Sequence, residues 1–341
     1  RSWRGVISMG AVCRGKQGGI ALITVLLILA IMVTTAATMT ERLTLSLKRT
    51  EGLTFSQNAY WYGQSAISLG AMVLNQDIAD SDVTSLDQIW ATPNMVFPLE
   101  NGNFAGEIKD LRGCFNVNAI SEQDKNNSTA LGVKQFQYLL EAIGLNDYSA
   151  EMIAQSTRDW IDEDDQTSAS QGAEDSYYQG LAVAHLAANN FMVDLSELRA
   201  VQGVSKKVYE KIAPYLCAIP SSEQKINVNT VSVEHAEILY ALFKSDNDIT
   251  ISDFKKVLED RPTSGWNSIN DFFAAEIFNG VAISDIQKAQ LMVSSDFFQL
   301  KGLVEFEERL LAIKVLFQMK GKKATVIRYQ SGGFNEFNIS D

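Results

Sequence analysis

The chain has 341 residues, which predicts two or three domains, and 46% of them are hydrophobic, enough for a sizeable core. The formal net charge of −12 argues against binding DNA or another polyanion. Cysteine is scarce: Cys13 lies near the N-terminus, and Cys114 and Cys217 form an even pair in the rest of the chain. Such a pair suits an oxidising compartment and predicts a disulfide, with two buried thiols as the alternative.

The first 40 residues join a basic segment to a long apolar run. No Asp or Glu occurs before Glu41, and four basic residues precede the run: Arg1, Arg4, Arg14 and Lys16. This asymmetry predicts that the N-terminus stays in the cytoplasm and that the chain after it crosses the membrane. The run from Ile20 to Met39 has 20 uncharged residues, which at about 1.5 Å per residue span roughly 30 Å, the thickness of a bilayer's hydrocarbon core. We therefore expect a single-pass anchor.

The position of the small residues indicates whether proteolytic processing would remove the apolar segment or leave it attached to the protein. A cleavable secretory signal has about 7–15 apolar residues followed by small residues at the cut. Here Gly18 and Gly19 precede the apolar run. A cut after Gly19 would remove the basic leader and leave the anchor attached to the protein. The alternative is an anchor helix that is never cut.

One helix is predicted from Ile20 to about Gln76, because proline is absent and apolar residues recur at intervals of three and four after the anchor. These residues are Leu43, Leu47, Phe55, Ala59, Tyr62, Ala66, Leu69 and Val73. A straight helix of this length would measure roughly 85 Å. Gly52, Gly63 and Gly70 would each cost about 1 kcal/mol and allow bends. A free-standing coiled coil is not favoured, because the heptad pattern is not sustained.

The middle of the chain predicts one sheet that is interrupted by helices. Residues 78–101 have a loop composition, residues 103–118 alternate like a strand pair, and residues 295–330 return to strand formers with a Gly-Lys-Lys turn. Between these strands, FNVNAI (115–120) recurs as INVNTV (226–231), each time before a helical module. Chance similarity is the alternative to a repeat. The predicted fold class is α+β, with a sheet packed on the long helix and a large helical insertion.

Residues 158–181 contain a dense acidic cluster. Seven carboxylates lie within seventeen residues: Asp159, Asp162, Glu163, Asp164, Asp165, Glu174 and Asp175. No Lys or Arg occurs from Asp159 to Leu198, so the cluster repels itself unless it is solvated or neutralised by a cation. Calcium takes 6–8 oxygen ligands in flexible geometry, although the spacing here is not that of an EF-hand. A solvated face and a calcium site are both open on these residues.

Catalytic motifs are absent from the sequence. His185 and His235 are the only histidines and form no H-E-x-x-H pattern, and neither G-x-S-x-G nor a Walker motif occurs. We expect His235 to be a surface or cap residue of an apolar helix. The segment LRAVQGVSKKVYEKI (198–212) resembles the helix-hairpin-helix pattern used on DNA backbones, but the anchor and the acidic balance favour a helical packing module. We predict no enzyme activity and no nucleic-acid binding.

The glycine pair followed by IALITVLL resembles the class III signal of type IV pilins and type II secretion pseudopilins. In that family a prepilin peptidase cuts after the glycine and methylates the new terminal residue, which implies cleavage between Gly19 and Ile20 and N-methylation of Ile20. Most members carry Glu at the fifth mature position, where this chain has Thr24. The K-type minor pseudopilin (GspK) also usually departs from Glu there. With Met9 as the start, the leader would have eleven residues.

The resemblance to K-type pseudopilins extends from Gly18 to about Tyr329 and implies a division of the chain. The expected parts are a cytoplasmic leader at 1–19, a transmembrane segment at 20–39, a pseudopilin body at 40–118 and 295–341, a first inserted helical (SAM-like) module at 119–225 and a second at 226–294. The acidic segment resembles that family's calcium loop, where acidic side chains hold two ions. The implied ligands are Asp159, Asp162, Asp164, Asp165, Glu174 and Asp175, with Glu163 pointing outward.

The resemblance also implies a function and a location. A K-type pseudopilin is expected at the tip of the type II secretion pseudopilus, anchored in the bacterial inner membrane with its C-terminal region in the periplasm. Its implied partners are the I- and J-type minor pseudopilins, the H type, the major pseudopilin of the shaft and prepilin peptidase. The competing hypothesis is a membrane-tethered, calcium-binding adhesin or binding protein outside the cytoplasm.

Overall fold

The structure is a computed structural model that describes residues 18–99, 102–121, 131–244, 248–306 and 309–332. The leader residues 1–17, with the expected start at Met9, lie outside the described residues. The chain divides into two compact units, residues 1–60 and residues 61–341, and each is described by itself.

The first unit is the N-terminal part of helix α1, which runs from Gly18 to Asp80. Helix α1 begins two residues earlier and ends four residues later than the sequence predicts. Threonine hydroxyls in its apolar part donate to the helix's own backbone, as Thr24 does to the carbonyl of Ala21 at 2.9 Å. By length and composition, α1 is the one helix among the described residues that could cross a membrane.

The second unit contains a five-stranded antiparallel sheet of order β1-β2-β7-β8-β9. Its strands are β1 (Met95–Leu99), β2 (Gly102–Asp110), β7 (Phe297–Phe306), β8 (Arg309–Lys320) and β9 (Lys323–Gly332). The Gly-Lys-Lys turn lies between β8 and β9, where Gly321 adopts the positive φ (63°) that glycine tolerates best. Strand β1 corrects the loop expected over 78–101: it contains Pro98, which lacks a backbone donor but is acceptable on an edge strand.

The C-terminal part of α1 packs on this sheet. Ala66 and Leu74 of the helix are buried in one apolar cluster with Phe298 and Phe317 of the strands. A Cβ added to Gly70 would meet Leu300 Cδ2 at 3.2 Å. Glycine therefore lets the sheet approach the helix closely, and α1 continues through it as one helix.

A helical insertion, residues 111–296, separates β2 from its neighbour β7 and contains two modules. The first holds β3 (Phe115–Asn116), α2 (Leu131–Ala142), α3 (Asp147–Ile161), α4 (Asp175–Tyr178), α5 (Lys206–Ile212) and β4 (Leu216–Cys217). The second holds β5 (Ile226–Asn227), α6 (Glu237–Phe243), α7 (Ile251–Glu259), α8 (Ile269–Phe273), α9 (Asp285–Ala289) and β6 (Leu291–Met292). Short 3-10 helices lie at Ile89–Ala91, Leu111–Gly113, Val117–Ser121, Leu195–Ala200, Ala213–Tyr215, Val233–His235 and Glu276–Phe278. The modules share one apolar core. The predicted α+β fold class, with a long N-terminal helix, a sheet and a helical insertion, is confirmed.

The repeated hexamers mark a structural repeat. Each begins with a two-residue strand that pairs in parallel with the strand at the end of its own module, β3 with β4 and β5 with β6. The buried amide of Asn118 accepts from the backbone N–H of Met192 at 2.8 Å and donates to its carbonyl at 3.0 Å. Asn229 makes the same two bonds to the backbone of Trp266, at 2.8 and 3.0 Å. The second Asn of each hexamer therefore holds a distant loop of its module.

The structure joins Cys114 to Cys217, the pair predicted from the sequence, with their Cα atoms 5.8 Å apart. The bridge closes a segment of 103 residues at the base of the first module. In the chain-entropy model, a loop of this length corresponds to about 4–5 kcal/mol of stabilisation. Both cysteines are buried in an apolar cluster with Phe297 and Leu316 of the sheet, so the bridge also packs the module against the body.

We predict that Asn118→Ala destabilises the globular unit by about 2–4 kcal/mol, because it removes buried hydrogen bonds and leaves the backbone groups of Met192 unpaired. Denaturant unfolding of the purified chain measures the change. Asn103→Ala is the matched control, since Asn103 is exposed on β2 and should change the free energy of unfolding by less than about 0.5 kcal/mol. Equal effects of the two substitutions would contradict this role of Asn118.

Candidate metal site

The acidic residues are positioned by the end of α3 and the start of α4. Helix α3 begins after Asn146, whose side chain accepts from the backbone of Ser149 at 2.9 Å, and its apolar face is buried in the core of the insertion. Asp159 lies in the last turn of α3, and Asp162 is its C-terminal cap. A loop then returns to Glu174, the residue before α4. The two helix ends therefore bring both ends of the acidic loop together.

Three of the predicted ligands converge. One carboxylate oxygen each of Asp162, Asp164 and Glu174 lie within 4.8 Å of one another. The side chains of Asp162 and Glu174 are buried, with exposures of 7% and 2%, whereas Asp164 is exposed. An ion at this point would reach two carboxylates from inside the protein and one from the surface.

Several oxygens of this group have no partner within the chain. Asp159 Oδ2, Asp162 Oδ1 and both carboxylate oxygens of Glu174 are buried and accept no hydrogen bond. The other oxygens are engaged by Ser168: its backbone N–H donates to Asp159 Oδ1 at 2.9 Å, and its hydroxyl donates to Asp162 Oδ2 at 3.2 Å. Buried polar atoms without partners are costly and uncommon in folded proteins. Four such acceptors in one loop create a demand for a cation or for protons.

The carboxylates raise one another's pKa. Burial, followed by the negative charges of Asp159 and Asp162, raises the pKa of Glu174 to about 8. Burial and the charge of Asp159 raise the pKa of Asp162 to about 6. The cation at Arg158, with Nε 3.6 Å from Asp162 Oδ2, opposes the shift at Asp162 without cancelling it. In the metal-free protein, protons therefore compensate part of the negative charge near neutral pH.

The outer ligands predicted from the sequence are held by the loop that follows α4. Asp165 Oδ1 accepts from the side-chain amide of Asn189 at 2.8 Å, and Asp175 Oδ1 accepts from the backbone of Ala187 at 2.9 Å. Glu163 is exposed. Asn189, which sequence reasoning missed, has positive φ (46°) and a buried side-chain oxygen without a partner. An amide oxygen is a normal calcium ligand, but a single Asn in a polar loop carries no sequence signal of this role.

The donor set fits a hard cation. All the unpartnered acceptors in the group are carboxylate or amide oxygens, the ligand type that Ca²⁺ prefers. The aromatic residues behind the loop supply a packed wall: the ring of Trp160 meets that of Tyr178 edge-on at 5.2 Å, and exposed Tyr177 packs on Tyr178 at 5.3 Å. A cation held here would fix the loop against this wall.

The two histidines do not join the acidic group in the described residues. The ring of His185 lies 5.9 Å from that of Trp160 and 5.1 Å from that of Tyr178. His235 ends the short 3-10 helix Val233–His235, half-buried with its ring 4.5 Å from that of Tyr215. This corrects the expectation that His235 belongs to an apolar α-helix: α6 begins after it, at Glu237.

The fold is that of a pseudopilin with an extra helical region. It has a long helix with an apolar N-terminal part, an antiparallel sheet, and an insertion that carries the acidic loop. Two family models, both described as type II secretion system (T2SS) protein K, match residues 113–221 and 226–294. The chain belongs to the type II secretion system protein K family.

Relatives match almost the whole chain. Type II secretion system protein K of Aeromonas hydrophila is 38% identical over 94% of this chain and 98% of its own length. The protein of the same name from Pectobacterium carotovorum subsp. carotovorum is 36% identical over 95% and 99%. The fold is similar to a chain in the crystal structure of the GspK-GspI-GspJ complex from the enterotoxigenic Escherichia coli type 2 secretion system. That chain has a TM-score of 0.76 and 33% identity, over 84% of this chain and 99% of that one.

We predict that the metal-free protein loses stability as the pH rises from about 5 to 8. The pKa of Glu174 is about 8 in the folded chain, above its ordinary value of 4.5, so between these values the folded state holds a proton that the unfolded state has released. The free energy of unfolding therefore falls with rising pH, by an amount on the order of 2 kcal/mol after solvent screening. Denaturant unfolding in excess chelator across this range measures it.

Glu174→Gln should flatten this pH dependence, because an amide does not titrate. Glu163→Gln removes a carboxylate from the same loop that is exposed and should leave the slope unchanged. If the slope survived Glu174→Gln, another group would have to carry it.

Proposed function

We propose that this chain is the minor pseudopilin at the tip of a type II secretion pseudopilus, where it initiates assembly, caps the fibre and supports export of folded proteins across the outer membrane. The observation that carries the proposal is the insertion of residues 111–296 between two strands that are neighbours in the sheet. Such bulk on the body of a pilin-like subunit would hinder another subunit from stacking above it. A subunit of this kind suits the end of a fibre.

Thr24 supports the same position. In the family most subunits carry Glu at this place, and a carboxylate in an apolar helix assembly needs a cationic partner. Thr24 is neutral, and its hydroxyl donates to the backbone of its own helix. A subunit without this carboxylate does not need the terminal amine of a neighbour placed above it. The tip is the position in which that neighbour is absent.

We propose that prepilin peptidase cuts between Gly19 and Ile20 and methylates Ile20, leaving α1 as an inner-membrane anchor with the globular unit in the periplasm. The proposed partners are the I- and J-type minor pseudopilins, in line with the GspK-GspI-GspJ complex of the solved relative, and also the H type and the major pseudopilin. Mass spectrometry of the membrane-extracted chain tests the processing: a methylated Ile20 terminus supports it, and an intact leader in peptidase-positive cells opposes it.

We propose that calcium, as two ions in the family pattern, binds the acidic loop and acts structurally. Asp162, Asp164 and Glu174 would hold an ion at the point where their oxygens converge, with Asp159 supplying its unpartnered oxygen. Asp165 and Asp175 would extend the site outward. The cation would replace the protons that compensate the cluster, so its affinity should rise with pH.

Calcium should raise the melting temperature of the purified chain, and excess chelator should reverse the change, because a ligand of the folded state stabilises it by mass action. Asp164→Asn should weaken this response, with the midpoint moving to calcium concentrations at least about tenfold higher, the loss of one charge-assisted contact. Glu163→Gln is the matched control and should respond like the unchanged protein. A melting curve insensitive to calcium and chelator would favour a solvated acidic face.

The tip position is tested in cells by site-directed cross-linking and by deletion of the gene. We expect deletion to give longer or unregulated pilus-like fibres and impaired secretion. Photo-cross-linking residues placed on the exposed surface of the globular unit should capture minor pseudopilins and leave the major pseudopilin largely uncaptured. Cross-links to the major pseudopilin distributed uniformly along the shaft would rule out a cap, and the absence of any pseudopilin cross-link would favour the adhesin hypothesis.

A further inference from the structure

A short connecting segment, residues 187–194, runs from the acidic loop to the sheet of the body. At its start, the backbone N–H of Ala187 donates to Asp175 Oδ1 at 2.9 Å, and the side-chain amide of Asn189 donates to Asp165 Oδ1 at 2.8 Å. None of its residues, all of which the structure describes, lies in a helix or strand. The position of the connecting segment therefore depends on its contacts with other parts of the chain.

The middle of the connecting segment is held by the repeated hexamer and its end by the sheet. Met192 is buried in the core of the insertion, and its backbone makes two hydrogen bonds with the amide of Asn118. Asp194 forms an ion pair with the ammonium of Lys314 on β8, and these side chains are only 21% and 20% exposed. The segment thus joins the acidic loop to an inner strand of the sheet.

Asp194 is the counter-charge for cations on three neighbouring strands. Besides pairing with Lys314, its carboxylate acts electrostatically on Lys301 of β7 and Arg328 of β9. Lys301 and Lys314 lie opposite each other in the strand register, and burial, followed by the charge of Lys314, lowers the pKa of Lys301. Burial alone would raise the pKa of Asp194, but the hydrogen bond from Lys314 lowers it below its ordinary value. Removing Asp194 from this position would leave like charges side by side on the sheet.

The two ends of the connecting segment differ in their electrostatics. At the acidic end, the accepting carboxylates belong to a cluster of like charges: Asp175 adjoins Glu174, and the charge of Asp165 also acts on Glu174. Repulsion in this cluster opposes the contacts until a cation or protons offset it. At the other end, the opposite charges of Asp194 and Lys314 attract each other. A segment without helix or strand can be released locally, without global unfolding, so it has a docked and a released state that both ends bias.

We propose that the connecting segment couples cation binding in the acidic loop to the sheet of the body, because calcium and the Asp194–Lys314 ion pair favour the same docked state. The inference rests on the proposed calcium site. Met192 lies two residues from Asp194 and three from Asn189, so a displacement at either end reaches the other through few backbone dihedrals. Coupling is reciprocal. The ion pair therefore strengthens calcium binding, although neither of its members belongs to the converging carboxylate group.

The test is calorimetric titration of the metal-free full chain in detergent micelles with Ca²⁺. Lys314→Gln should weaken calcium binding by about fivefold or more. The direct electrostatic effect of removing a cation is the opposite, stronger binding of Ca²⁺, so weakening identifies coupling through the connecting segment. Asp194→Asn keeps a side-chain oxygen to cap the 3-10 helix that follows and should weaken binding similarly. The double variant should be no weaker than either single variant, because both remove the same ion pair.

Lys320→Gln is the matched control: Lys320 is exposed at the end of the same strand, and its loss should leave the calcium affinity unchanged. Hydrogen exchange read by mass spectrometry gives a second measurement. Calcium should slow the exchange of residues 187–194 in the unchanged protein and do so less in the Lys314→Gln protein. Slow exchange of the β7 and β8 amides reports that each variant is folded.

Unchanged or tighter calcium binding by the Lys314→Gln protein would overturn the coupling and leave the calcium site standing. That result would mean that the buried contacts of Met192 isolate the two ends of the connecting segment from each other. Failure of the unchanged protein to bind Ca²⁺ would overturn the calcium site and the coupling together.

Discussion

The buried carboxylate of Asp110 lies where the chain leaves the sheet and returns to it, and its hydrogen bonds stabilise this junction. Asp110 is the last residue of β2 and lies opposite Phe298 of β7 in the strand register, so the two ends of the insertion meet beside it. Burial raises its pKa, and an unpaired carboxylate in this position would be strongly destabilising. Donors from Arg112, Thr230 and Ser295 prevent that cost. One group thus connects the sheet to the second module and to the returning strand.

The insertion leaves the sheet intact because each of its modules closes on itself. Parallel pairing of β3 with β4 and of β5 with β6 brings the start and the end of each module together. The first module is closed covalently by Cys114 and Cys217. The second is closed by polar contacts, since the amide of Asn227 donates to Ser295 Oγ at 2.8 Å and to the carbonyl of Thr84 at 3.1 Å. Hydrogen bonds therefore close the second module, as the disulfide closes the first.

The features that could be predicted from the sequence have a periodic residue pattern or a distinctive local composition. The features that were missed depend on contacts between residues far apart in the chain. The apolar run, the α1 pattern and the repeated Asn-x-Asn segments are local signals, and the fold class followed from them. Strand β1 was missed because Pro98 argues against a strand unless its edge position is known. The acidic cluster was visible as composition, but the convergence of Asp162 with Glu174 depends on helix ends that meet only in the fold. Asn189 was invisible for the same reason.

Folding brings the carboxylates of the acidic loop together, and their negative charge must be compensated by protons or by a cation. In the unfolded chain the carboxylates of residues 159–175 are solvated and apart, whereas the folded chain buries Asp159, Asp162 and Glu174 beside one another. Bringing these like charges together costs stability, while the rings of Trp160 and Tyr178 pack edge-on behind the loop. A cation or protons must offset this cost, which couples ligand binding to folding. The rings behind the loop belong to the apolar core that the two modules share, so the coupling between ligand binding and folding reaches beyond the first module.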